Sequence, residues 1–444
     1  MADSQLSGLD IAFLCLEGQH SPMHMGAVAV FTPGDDGPID TRGLATLLAE
    51  RAAGIPQLRR HQRTTLLPPG GATWVEDPHF DPAAHIRLDR VSTLYDDDPL
   101  TTYAGDWIAE PLPMDRPLWD LRLVDGLPGG AVALLLKLHH AVTDGAGAVG
   151  IGAGLLDPVP VPRRAAPTSC VQRRTARSPL DALRQGVSSA LSQAGEGAAI
   201  ASSVLRAARP YPVSPIAAPR AAQRRLGFVR LDLADIRRVR AAHGGTTNDV
   251  VLTVVAGALR DWLINRGRRA DGRTLRALIP VSVRARAGAG ATAGNQLSGY
   301  LCDLPVGLDD PVERLRAVRR SMTAAKRGGP TTGAGAFPLL AGRLPAGVHR
   351  LATRAAGMAA PLLFDTVVTT VPIPRARLTV GGHPLREVFP LVPLPANQAL
   401  GIAVAVHRDA VHIGLQANGA AVPELGSLRD AFLKAGERLV QLCH

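Results

Sequence analysis

From Asp157 to Arg177 the chain reads DPVPVPRRAAPTSCVQRRTAR, and no long helix or strand can run through it. Proline fixes φ and removes backbone donors, so a stretch rich in proline, arginine and small residues reads as a linker. A second breaker, RPYPVSPIAAP, follows at 209–219. Between the two, Ser178-Pro179 can open a helix through Leu183, Val187 and Leu191 toward Leu205. The 444 residues therefore divide into a domain at 1–160, a partly helical crossover at 161–225 and a second domain at 226–444.

Each half must then bury its own core, and each shows alternating elements. In the first, Met25 to Phe31 and Ala131 to Leu138 read as strands, and Leu44 to Arg51 and Pro99 to Ile108 as helices. In the second, GFVRLDL reads as a strand and Leu233 to Ala242 as a helix. The clearest helix runs from Thr247 to Ile264, with Thr247 as its cap and Asp249 at the positive end of its dipole. LRALIPVSVR, DTVVTTVPI, ALGIAVAVH and AVHIGLQ are strand-like, and Leu425 to Leu442 is helical. The expected class is α/β, with mixed α+β sheets covered by helices.

Composition excludes several functions. Apolar residues make up 46% of the chain, enough for a packed core rather than a disordered or fibrous protein. The net charge of +11 is nearly all arginine and concentrates between Pro162 and Leu226, where only Asp181 and Glu196 oppose it. Such a stretch suits anionic lipid or phosphorylated ligands. Aromatic residues are only 4% and none interleaves with these arginines before Tyr211, which argues against nucleic acid. No run reaches the roughly 18 apolar residues of a membrane span. The first thirty residues lack a basic segment leading into a long apolar one. The expectation is a cytoplasmic protein that meets a membrane from one side. Cys15, Cys170, Cys302 and Cys443 are dispersed, as neither zinc ligands nor a disulfide framework would be.

The chemistry concentrates in KLHHAVTDG, Lys137 to Gly145. Strand alternation places Leu134, Leu136, Leu138 and His140 on one face, with Lys137 and His139 on the other. His140 then ends an apolar row where the chain turns, and desolvation keeps an imidazole there neutral and available as a base. Asp144 can fold back across the turn to orient the histidine or to brace the loop, and Gly145 lets the backbone leave tightly. A purely structural histidine fits the same segment. Neighbouring histidines on a strand point opposite ways, so they do not share a metal ion. No Gly-x-Ser-x-Gly elbow occurs to supply a serine nucleophile. Gly145, Gly147 and Gly150 imitate a dinucleotide fingerprint. However, six residues separate them from the strand, and no acidic residue follows about twenty positions on.

HHAVTDG resembles the His-His-x-x-x-Asp-Gly motif of the CoA-dependent acyltransferase superfamily. LSGLDIAFLCLEGQHSPMHMGAVAVF, RPLWD, TTNDVVLTVVAGALRDWL, PVSVR and GNQLSGYLCDLP, in that order, are similar to motifs of the bacterial wax ester synthase/diacylglycerol acyltransferase family. The resemblance spans essentially the whole chain. It implies two chloramphenicol-acetyltransferase-like domains with the active site in a channel between them. By the same resemblance His140 deprotonates an acceptor hydroxyl, which attacks the thioester of acyl-CoA. Asp144 is architectural with Arg284 as its ion-pair partner, His139 and Gly145 are supporting, and Asn248 lies near the reaction centre beside Asp249. An ordinary helix-start pair is the alternative for Asn248 and Asp249, and core packing is preferred for Trp119.

The implied reactants are acyl-CoA, as co-substrate rather than cofactor, and diacylglycerol or a long-chain alcohol, with neither metal nor nucleic acid. The implied place of work is the inner membrane face or a lipid droplet. The chain departs from the family at TTVPIP, Thr369 to Pro374, and at Val406-His407, which bear on pocket shape. Acylation of another alcohol or an amine, and a non-catalytic acyl-CoA- or lipid-binding member, are the competing expectations.

Overall fold

The computed structural model describes residues 4–18, 20–35, 37–65, 71–92, 98–158, 214–282, 295, 297–328, 363–374, 376–395 and 397–443. The expected crossover helix, Cys170 and Arg284 lie outside these residues. The first half runs β1 (Ser4–Gln5), α1 (Gly8–Leu16), β2 (His24–Phe31), α2 (Thr41–Ala53), β3 (Arg60–Thr64), β4 (Ala72–Glu76), β5 (Ile86–Arg90), α3 (Pro99–Ala109), β6 (Trp119–Asp125), β7 (Val132–His139) and α4 (Gly145–Leu155). The second runs β8 (Arg224–Asp232), α5 (Leu233–His243), α6 (Thr247–Asn265), β9 (Leu275–Ser282), β10 (Leu297–Leu304), α7 (Pro311–Gly328), β11 (Thr366–Val371), β12 (Thr379–Val380), β13 (His383–Leu391), β14 (Leu400–His407), β15 (Ala410–Asn418) and α8 (Leu425–Gln441). No helix among the described residues is long and apolar enough to cross a membrane.

Strand β7 forms the spine of the first sheet, whose order is β12-β13-β2-β7-β6-β5. Its side chains alternate as the period of a strand requires. Val132, Leu134, Leu136 and Leu138 join Phe31, Leu48 and Trp119 in one core, while Ala133 and Leu135 join Trp107 and Ile108 in another. Lys137 continues the second face and is buried there. Its Nζ donates to the carbonyls of Trp107 (2.6 Å) and Glu110 (2.9 Å), at the C-terminal, negative end of α3. Burial pulls its pKa down to about 8, against the opposing charges of Asp120 and Glu110. Trp119 is a core residue, with Nε1 donating to the Leu58 carbonyl at 2.9 Å.

The second sheet, β10-β9-β11-β14-β15-β8, packs one face on α6 and α8 through Ile402, Val404, Val411, Ile413 and Leu415. Helix α6 begins one residue differently from expectation. Thr246, not Thr247, is its cap: the Thr246 hydroxyl accepts from the Asp249 amide (3.2 Å) and Asp249 Oδ2 accepts from the Thr246 amide (2.8 Å). This reciprocal pair satisfies two otherwise orphaned donors.

The halves are not separate along the chain. Residues Thr379–Leu391 belong to the second half by sequence, yet β12 and β13 complete the first sheet, β13 lying antiparallel to β2. The other side of β13 crosses the free face of β14 and β15, where Gly401, Ala403 and Ala405 stand opposite Gln416, Gly414 and His412. Phe389 stacks on Phe228 at 4.4 Å and meets His412 edge-on at 5.3 Å. A second tie is Asp157. It accepts from Arg51 Nη2 (2.7 Å), Thr379 Oγ1 (2.7 Å) and the amides of Gly381 (3.0 Å) and Gly382 (2.9 Å). Burial would raise the pKa of this carboxyl, but the four donors hold it at about 2.

Candidate active site

Strand β7 ends at His139 rather than running on to His140. His140 therefore does not close the apolar row. It sits in the turn that follows, because its backbone is held in three directions. Its amide donates to the Met23 carbonyl (2.8 Å), its own carbonyl accepts from Asn295 Nδ2 (2.6 Å), and the next amide, of Ala141, donates to His139 Nδ1 (3.0 Å). The His140 ring stacks on Phe13, with centroids 4.0 Å apart and planes inclined by 17°.

This packing sets the ring's chemistry. Desolvation lowers the His140 pKa to about 4, outweighing the opposing pull of its own backbone carbonyl and of Asp144. A neutral ring that acts through its open edge carries its proton on Nδ1 and its lone pair on Nε2. Neither ring nitrogen is hydrogen-bonded among the described residues; Nδ1 is sealed from solvent, whereas Nε2 is not.

The supporting residues come from far along the chain. Asp10 and Phe13 are three apart in α1 and so share a helical face. Asp10 is buried; its Oδ2 accepts from the Ser7 amide (2.8 Å), and its Oδ1 accepts from Asn295 N (3.1 Å) and Nδ2 (2.7 Å). Burial raises its pKa, with those donors opposing. A first-half carboxylate and a second-half amide thus meet behind His140. Glu17, at the end of α1, accepts from the Met23 amide (2.6 Å) and lies 3.2 Å from His139 Nε2. Sequence reasoning passed over Asp10, Phe13, Glu17 and Asn295 as site residues, although all four fall within the quoted motifs.

The other expected residues are placed differently. Asp144 does not reach across the turn to hydrogen-bond His140. It caps α4, Oδ1 accepting from the Gly147 amide at 2.9 Å. Gly145 opens that helix with space around it: a Cβ there would meet nothing within 4 Å among the described residues. The tight position is Gly147, whose Cβ would overlap the Thr143 side chain. Glycine to alanine inside a helix ordinarily stabilises by up to about 1 kcal/mol. Denaturant unfolding is expected to show that gain for Gly145→Ala and a loss of about 1–2 kcal/mol for Gly147→Ala. Equal midpoints would contradict the placement. Asn248 faces β11, its Oδ1 accepting from Thr370 Oγ1 (3.1 Å), while Asp249 serves the α6 cap. The described residues contain no cluster of three or more His, Cys, Asp or Glu able to hold a metal.

Two sheet-and-helix halves around an imidazole at the turn after the central strand define a CoA-dependent acyltransferase fold, and solved structures agree. The wax ester synthase/diacylglycerol acyltransferase of Marinobacter aquaeolei VT8 matches with a TM-score of 0.73 and 23% identity, covering 99% of this chain and 100% of that one. The first condensation domain of the calcium-dependent antibiotic synthetase matches at 0.59 and 18%, covering 100% and 96%. The sequence goes further. The model of the wax ester synthase/diacylglycerol acyltransferase catalytic domain matches residues 6–251, and that of the WS/DGAT C-terminal domain matches 293–439. The Mycobacterium tuberculosis (strain H37Rv) protein named Probable diacylglycerol O-acyltransferase tgs1 is 31% identical over 459 residues, covering 99% of this chain and 96% of that protein. The chain belongs to the wax ester synthase/diacylglycerol acyltransferase family and is an acyltransferase.

Proposed function

We propose that the protein transfers an acyl group from acyl-CoA to the hydroxyl of diacylglycerol or a long-chain alcohol, with His140 as general base. The observation that carries this reading is the His140 ring, held neutral, with Nε2 as its one open nitrogen. In the step, Nε2 takes the acceptor's hydroxyl proton as the oxygen attacks the thioester carbonyl. Collapse of the tetrahedral adduct breaks the C–S bond, and the imidazolium returns the proton to the departing CoA thiolate. A group with a pKa near 4 is a weak base, so proton transfer must be concerted with attack. Asp144 shapes the turn by capping α4. Asn248, at the start of α6 and hydrogen-bonded to Thr370 of the strand that carries TTVPIP, stands where acceptor shape is read. The enzyme works where its lipid substrates gather, at a membrane face or lipid-droplet surface.

The direct test is release of free thiol from palmitoyl-CoA with dioleoylglycerol or hexadecanol as acceptor. Acceptor-dependent release is expected. Saturable palmitoyl-CoA binding without release, across these lipids and a panel of other alcohols and amines, would overturn the catalytic reading. Release with only another alcohol or an amine would overturn the acceptor assignment alone.

The pH dependence carries its own sign. The base works when neutral, and its pKa in the folded enzyme is lowered from the usual 6.5 to about 4. The rate is therefore present above that value and lost as pH falls through it. The acid limb of kcat/KM, measured in short assays where the fold persists, is expected near pH 4. A limb between 6 and 7 would contradict the burial argument.

A further inference from the structure

His24 and His139 face one another across the β2–β7 pair, with ring centroids 6.1 Å apart, and both are almost completely buried. One carboxylate serves the space beside them. Glu17 Oε2 lies 3.2 Å from His139 Nε2, and Glu17 Oε1 lies 3.8 Å from His24 Nε2. Both Nε2 atoms are closed off from solvent and make no hydrogen bond among the described residues, so Glu17 acts on them by its charge at close range. The remaining nitrogens fix the tautomers. The Ala141 amide donates to His139 Nδ1, so that atom carries a lone pair and the proton sits on Nε2, facing Glu17. His24 Nδ1 faces the Ile108 carbonyl at 3.5 Å and carries its proton there, leaving His139 as the ring whose Nε2–H lies against the Glu17 charge.

Glu17 consequently reaches the backbone of His140 by two routes. Through the first, it accepts from the Met23 amide, and the Met23 carbonyl accepts from the His140 amide. Through the second, it orients the His139 ring, whose Nδ1 accepts from the Ala141 amide, on the other side of His140. The two amides that bracket His140 are thereby both fixed by one carboxylate.

We infer that Glu17 is a positioning residue for the acyl transfer, selecting the Nε2–H form of His139 and so setting the turn that aims His140. The inference rests on the reading of His140 as the base. His139, the first histidine of the motif, then acts through backbone geometry and not on the substrate.

The wild-type enzyme supplies the first test. Ring 15N NMR of the full-length protein, assigned with His139→Gln, should show His139 at neutral pH protonated on Nε2 and bare on Nδ1; the opposite tautomer would overturn the inference. Glu17→Gln keeps the side chain's volume but removes the charge, and it can turn an amide N–H toward His139. It is expected to lower kcat by about 10- to 100-fold, with KM for acyl-CoA changed by less than about threefold, because misaiming the base affects the chemical step. Glu17→Asp, which keeps the charge, should recover part of that loss. Wild-type kcat in Glu17→Gln would overturn the inference, as would a loss in KM alone. The two readings fail separately. Turnover retained in His140→Ala overturns the base itself, whereas turnover lost in His140→Ala but normal in Glu17→Gln overturns only the role of Glu17.

Discussion

Alanine at position 140 is expected to lower kcat/KM by about 10²–10⁴-fold, the span that positioned proton transfer contributes. The fold should survive, because the backbone contacts that build the turn do not depend on the ring. The His140 amide, the His140 carbonyl and the Ala141 amide keep their partners Met23, Asn295 and His139. What disappears is the open Nε2 and the stacking on Phe13. Thiol release measured beside the thermal transition separates the two effects. An unshifted transition with lost release locates the defect in chemistry. Release at the wild-type rate would remove His140 from the mechanism.

The second large effect concerns Gly414. This residue lies mid-strand in β15 without a left-handed φ, so conformational freedom is not what it supplies. It supplies space. A Cβ there would fall on the carbonyl oxygen of Pro390, with Leu391 Cδ2 at 3.3 Å. Because the obstacle is backbone, and β13 is hydrogen-bonded to β2, no rotamer change relieves the overlap. Gly414→Ala is expected to destabilise by about 3 kcal/mol, the upper end for an overfilled core, and to shift the chemical unfolding midpoint accordingly. Gly426→Ala is the control, since a Cβ in that first turn of α8 meets nothing within 4 Å among the described residues. A Gly414→Ala midpoint equal to the control's would mean that β13 can lift off the second sheet at little cost.

Elements with locally complete signals were legible in the sequence. The apolar alternation of β7, the capped apolar α6 and the hairpin β14–β15 need nothing beyond their own residues to be recognised. Helix α4 was harder, because glycines at 145, 147, 150, 152 and 154 disfavour a helix. It forms because Asp144 caps it and Ile151 and Leu155 are buried. Helix α7, which sequence reading passed over, does carry a signal: Leu315, Val318 and Met322 keep helical spacing and are buried. Strand β13 is another matter, since a proline interrupts its alternation and its partner lies some 350 residues away. The site divides in the same way. HHAVTDG exposes its histidines and its aspartate at once. The partner of His139 is instead a glutamate at the end of a different element, and the donor to the His140 carbonyl comes from the second half. Such residues become visible only when strand register brings Met23 and His24 beside His139 and His140.

The exchange of β12 and β13 also bears on how the chain is made. When β7 has left the ribosome, β2 has one neighbour, and the apolar run HMGAVAVF presents an unpaired edge. The strand that covers it follows about 250 residues later, roughly 10–50 s at typical synthesis rates. Over that interval the nascent first half holds a sticky border that any similar polypeptide can pair with. The amino-terminal half therefore cannot finish before the carboxyl-terminal half is under way. Holding such an edge is work for a chaperone on the nascent polypeptide, and the same dependence makes simultaneous expression of the two halves, rather than either alone, the route to a divided enzyme.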